Sequence, residues 1–137
     1  MMESTSMATS DPNLMNDGVF GQRPERGEIW LVALGAARKG EIGKTRPALV
    51  VSVDGLQAGT PHDRITVVPF TTNARQQPNM IQPQVPAGQG LEQNSVVLCD
   101  APRAIVPSRF VCRLGEAPDD LFEKVMMARS FVEGWGD

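Results

Sequence analysis

A few short stretches of the chain carry side chains able to act on a phosphate. The first is "KGEIGKTRP", Lys39–Pro47, with two lysines, Glu41, and an arginine directly before a proline. Gly43-Lys44-Thr45 spells the end of a nucleotide-binding loop. Such a loop needs a glycine five residues before Gly43, where this chain has Arg38, and a helix after it. Here Arg46-Pro47 leads into Ala48–Val53. Proline biases the residue before it toward extended backbone, and the β-branched run reads as a buried strand. Arg46 therefore stands at a strand mouth. Its planar fork can hold a phosphate there, or it can pair with an acid such as Glu41.

Three other groups enter the same chemistry. Thr71 and Thr72 close "VVPFTT"; their hydroxyls can donate to phosphate oxygens or satisfy a turn. Asp100 follows the apolar run Val96–Cys99 and needs a partner if it is buried there; Arg103 is the nearest cation. His62 reads as an exposed loop residue, with no nucleophile elbow to make it a triad member. Cys99 and Cys112 lack the further ligands of a zinc site and read as buried thiols. Trp30 and Trp135 read as packing residues. The chain has seven aromatic residues and no tyrosine, a poor platform for stacking several bases.

Charge sorts these groups further. The net charge is −3, but residues 26–113 carry +4 between an N-terminal stretch at −3 and a C-terminal one at −4. A basic body between acidic ends can bind a polyanion locally, although a mixed solvated surface has the same composition. Residues 1–25 are polar, without the basic and apolar regions of a signal peptide, and read as a disordered tail. With no long apolar run, the expectation is a cytoplasmic protein of one domain, residues 26–137.

The elements that must position these residues are mostly strands. Strands are predicted over 28–34, 46–53, 64–72, weakly 80–85, 95–105 with a bend near Pro102, and 111–117. Pro69 suggests a bulge or an edge. The end reads as a helix over 121–133, capped by Asp119 or Asp120, with Leu121, Val125, Ala128 and Val132 on one face. Short strands, glycine and proline turns and one closing helix predict a mainly β fold, a small bent barrel with a C-terminal α-helix.

The strings "RGEIWLVAL" (26–34), "GKTRPALVVS" (43–52), "VVPFTT" (67–72) and "VVLCDAPRAI" (96–105), in this order and spacing, resemble the MazF/PemK toxins of type II toxin–antitoxin systems. The C-D-x-P-R string resembles the plasmid-type Kid/PemK branch. The resemblance implies an SH3-like (PemK/CcdB-type) barrel and a homodimer. It implies a sequence-specific, metal-independent endoribonuclease of single-stranded RNA that uses no cofactor. It also implies a cognate MazE-like antitoxin, which lays an acidic disordered segment over the RNA groove. By the same resemblance Arg46, Thr71, Asp100 and Glu41 take the catalytic positions. RNA contacts are expected from Lys39, Lys44, Thr72, Asn73, Arg75 and Arg103. The chain departs from the plasmid branch at Leu98, where that branch has a basic residue, at Gly40, where it has a histidine, and at Ala101, where glutamine is usual. These departures leave the general acid and base unassigned, and those at Leu98 and Gly40 keep open a degenerate homologue that only binds an antitoxin; the shared fold keeps open a non-nucleolytic toxin that poisons gyrase.

Overall fold

The computed structural model describes residues 22–35, 44–72 and 79–135. Their elements run β1 (Glu28–Ala33), β2 (Thr45–Val50), β3 (Ile65–Thr71), β4 (Gln84–Val85), β5 (Ser95–Val97), β6 (Arg103–Ile105), a 3-10 turn (Pro107–Arg109), β7 (Phe110–Glu116) and α1 (Asp119–Val132). The strands form one antiparallel sheet in the order β4-β5-β3-β2-β1-β7, with β6 on a second stretch of β3. The mainly β, barrel-like class with one C-terminal helix therefore holds, although the sheet does not close on itself.

Alternation along the strands gives the sheet two buried faces. Ile29, Leu49, Val68, Phe70 and Val97 face α1 and pack with Val125 and Ala128. Trp30, Val32, Ala48, Val50, Val67, Ile105 and Phe110 form a second core on the opposite face. There Trp30 meets Phe110 edge to face, with ring centroids 5.9 Å apart. A central strand buried on both faces explains why β3 reads as a nearly continuous apolar run.

Several boundaries differ from the sequence expectation. The strand expected over 95–105 is two strands, β5 and β6, which pair with the two halves of β3. The tight turn between them closes through Ala101 N–H to the Leu98 carbonyl, 3.1 Å. Pro69 sits opposite this break. It is fully buried rather than at an outer edge, but it lies where β3 changes partner, so its missing N–H costs no ladder bond. The expected strand 80–85 shrinks to Gln84–Val85, because Pro83 precedes it and an Asn79–Gln82 bridge turns the chain. The helix starts at Asp119, behind Pro118, without a side-chain cap; Asp119 and Asp120 instead lie in its first turn, where the helix dipole favours acids. Val132 and Trp135 are exposed rather than packed.

The tail expected over 1–25 also ends earlier than its composition suggests. Pro24 is buried, and Arg23 grips Asp63 through two bonds of 2.8 and 2.5 Å. Arg26 reaches the Val51 carbonyl at 2.5 Å and lies over the Phe122 ring, 4.9 Å from its centroid. Residues 22–25 thus belong to the folded unit. Residues 1–21 lie outside the described residues.

Candidate nucleic-acid interface and active site

The register of β1–β3 builds the site. Arg46 pairs with Val32 in β1. The β2–β3 ladder pairs Val50 with Val67, Leu49 with Val68 and Ala48 with Pro69, and stops there. Val51 N–H bonds the Thr66 carbonyl, so by alternation residues 47 and 70 are the next bonded pair beyond Leu49–Val68. Pro47 has no N–H to give, which ends the ladder. The same register carried on places Arg46 opposite Thr71. Both lie on the Val32–Ala48–Val67 face, one step past its apolar core.

Arg103 joins them. It pairs with Val67, so its side chain projects from that same face, and its Nη2 donates to the Leu34 carbonyl at 3.1 Å. Arg109 donates to the Ala33 carbonyl at 3.4 Å. A Cβ on Gly35 would lie 3.1 Å from the Arg109 Nη1, and Gly35 has φ +86°, so this position favours glycine twice over. The β1–β2 connection is necked by Leu34 N–H to the Lys44 carbonyl, 2.8 Å, and Lys44 N–H to the Gly35 carbonyl, 2.6 Å. Lys44 is exposed and left-handed at φ 67°, a conformation that costs a non-glycine residue about 1 kcal/mol. Three arginines and one lysine therefore gather at one open end of the sheet.

Thr71 is 3% exposed and forms the floor of this end; Thr72 is exposed beside it. Glu41, Lys39, Asn73 and Arg75, all named from the sequence, lie outside the described residues.

Asp100 differs from expectation. It is not buried within a strand and does not pair with Arg103: it is exposed on the turn after β5, where it accepts 3.2 Å from Gln82 Nε2. Its neighbour Cys99 is fully buried and anchors the turn. Burial pushes the Cys99 thiol up to about 11, so it stays protonated and unreactive at neutral pH. Cys112 is half-buried in β7 and paired opposite Leu31.

Two contacts escaped the sequence reading. Arg129, in the last turn of α1, donates Nη1 to the Cys99 carbonyl at 2.7 Å. Gln82 touches the Asp100 carboxylate from the short β-bridged turn before β4. Arg129 lies one residue past Ala128 on the buried stripe of the helix, which was the available signal; nothing local marks Gln82. Among the described residues, no three His, Cys, Asp or Glu side chains cluster as metal ligands would, and no helix is long and apolar enough to cross a membrane.

Comparison with known proteins agrees with this fold. Residues 25–128 match the family model described as PemK-like, MazF-like toxin of type II toxin–antitoxin system. The chain is 32% identical over 107 residues to endoribonuclease PemK of Escherichia coli, covering 74% of this chain and 76% of that protein. Its fold is similar to MazF from Deinococcus radiodurans, with a TM-score of 0.68 and 28% identity over 81% of this chain and 96% of that one. It is also similar to a chain of the MazE–MazF complex from the same organism, with a TM-score of 0.62 and 26% identity over 82% of this chain and 98% of that one. With 25–128 matched by that family model, the chain belongs to the PemK-like, MazF-like family of type II toxin–antitoxin toxins.

Proposed function

We propose that this toxin is a sequence-specific endoribonuclease that cleaves single-stranded RNA by attack of the 2′-hydroxyl on the adjacent phosphate. The products carry 2′,3′-cyclic phosphate and 5′-hydroxyl ends. The observation that carries this reading is the placement of Arg46 opposite Thr71, on the face that also bears Arg103, at the point where Pro47 ends the ladder.

The chemistry needs a proton acceptor for the 2′-hydroxyl, a donor for the leaving 5′-oxygen, and positive charge where the phosphorane forms. RNA supplies the nucleophile, so the reaction runs without a metal ion. Arg46 stabilises the growing charge with a fixed fork and donates the proton that the leaving 5′-oxygen takes up. Thr71 holds a phosphate oxygen from the floor, and Thr72 is the exposed hydroxyl beside it. Asp100 or Glu41 takes the proton. Lys39, Lys44, Asn73, Arg75 and Arg103 contact the RNA backbone and flanking nucleotides, with the salt dependence this entails. The toxin works as a homodimer, and a cognate antitoxin with an acidic segment competes for the same basic end. Support for that partner comes from the solved MazE–MazF complex to which the chain is similar.

Incubation with a long RNA in EDTA tests the reading. Discrete fragments with cyclic phosphate ends are expected. Activity that vanishes in EDTA and returns with magnesium would overturn the metal-free route, and intact RNA under all conditions would leave a toxin of this fold without nuclease action.

A further inference from the structure

We propose that Arg129 of α1 is a positioning residue for Asp100, coupling the C-terminal helix to the catalytic turn; this rests on the role given to Asp100 above.

The carbonyl that Arg129 holds at 2.7 Å belongs to the peptide joining Cys99 to Asp100. That peptide is planar, so a charged hydrogen bond on its oxygen also sets the orientation of the Asp100 N–H and the direction in which the Asp100 side chain leaves the turn. The rest of the turn is held as firmly. Cys99 N–H bonds the Ile81 carbonyl at 3.2 Å, Ala101 N–H bonds Leu98 at 3.1 Å, and the Cys99 side chain is fully buried against the helix-side core. Asp100 is the one exposed residue of Leu98–Asp100, presented on a turn whose other groups are committed. The Arg129 side chain is itself only 12% exposed, and Glu133, one helical turn on, binds its other nitrogen. Its fork is thus pre-set on the carbonyl rather than sampling solvent. The Arg129 cation and the Asp100 carboxylate both lie near enough to Cys99 to act on its thiol, in opposite directions because their charges are opposite.

A docking arginine and a positioning arginine differ in what their loss does to the reaction. If Arg129 only fastens the helix, its removal lowers stability and leaves the turnover of the folded enzyme intact. If it orients Asp100, removal lowers kcat with little change in KM, because a carboxylate displaced by a fraction of an ångström loses its approach to the 2′-hydroxyl.

The experiment is a double-mutant cycle on full-length protein with a cleavable oligonucleotide, read as single-turnover rates. Arg129→Met is expected to slow cleavage about tenfold, and Arg129→Lys to recover part of it. In an Asp100→Asn background, Arg129→Met is expected to cost nothing further, since the group it serves is gone. Equal losses in both backgrounds, or no loss in either, would overturn the proposal. A fast Asp100→Asn enzyme would remove the catalytic role of Asp100 and this inference with it. A slow Asp100→Asn enzyme with a fast Arg129→Met enzyme would remove this inference alone. Glu133→Gln, which loosens the fork without touching the turn, serves where Arg129→Met fails to fold, with a smaller kcat loss of the same non-additive kind expected.

Discussion

The two ends of β3 use arginine in opposite ways. At the Ile65 end, Arg23 is forked onto Asp63, which also accepts from Gly59 N–H at 3.1 Å, and Arg64 donates to the Asp63 and Pro61 carbonyls. The Arg23–Asp63 pair cancels its own charge, and the Arg23 guanidinium holds the Asp63 carboxyl below the usual carboxylate range. At the Thr71 end, Arg109 spends its hydrogen bond on the Ala33 carbonyl and Arg103 donates to that of Leu34. A carbonyl orients a guanidinium without neutralising it. One end therefore fastens chain to chain through an ion pair, while the other orients Arg103 and Arg109 on the backbone carbonyls at the end of β1. The same residue type serves stability or recognition according to the acceptor the fold puts beside it.

Substitutions at the two ends should separate accordingly. The largest effect is expected at Arg46. Arg46→Ala should lower the single-turnover rate by about 10²–10³, roughly 3–4 kcal/mol of transition-state stabilisation, with the circular dichroism unchanged. Arg46→Lys should recover only part, since the charge remains but the fork is lost. A folded Arg46→Ala enzyme that cuts at the parent rate would move the catalytic assignment to Asp100 and Glu41.

At the other end the loss should appear in stability instead. Asp63→Asn or Arg23→Met should cost about 2 kcal/mol, between the values for exposed and buried pairs, and leave cleavage by the folded protein unchanged. The pH dependence follows from the lowered Asp63 pKa. The pair contributes fully above the unfolded-state pKa of about 3.9, and that contribution fades as pH falls toward the folded value. Melting of the parent should therefore drop more steeply in acid than melting of Asp63→Asn. Parallel acid profiles would show that this end does not work as an ion-pair fastening.

Truncation tests the same fastening from the chain terminus. Removal of residues 1–25 takes Arg23 and Pro24 and should lower the melting temperature at least as much as Arg23→Met. Removal of 1–21 keeps Arg23 and Pro24 and should lower melting less than removal of 1–25. Equal behaviour of the two truncations would contradict the packing of Arg23 and Pro24. The smallest expected effect is that of Thr71→Ala, which removes one uncharged donor at the floor of the basic end. It should slow cleavage by about fivefold, on the order of 1 kcal/mol, with little change in melting.

Local patterns in the chain determined the element types. Period-two apolar runs, the Arg46-Pro47 junction, the turn glycines and the apolar stripe of α1 are all short-range signals, because strand and helix periodicities are properties of neighbouring residues. Arg46 and Thr71 were legible as strand-end groups for the same reason. Their being opposite each other was not, since that depends on the β2–β3 register and on Pro47 ending the ladder there. Tertiary structure also decided Asp100. An acid after four apolar residues reads as buried, yet the chain turns sharply once Leu98 has met Pro69, and the carboxylate leaves into solvent. It decided the reach of Arg129 to Cys99, thirty residues apart, and of Arg23 to Asp63, forty apart. Contacts at such separations depend on the path of the whole sheet. No window of sequence contains both partners, so composition placed Arg23 in the tail while packing placed it in the fold.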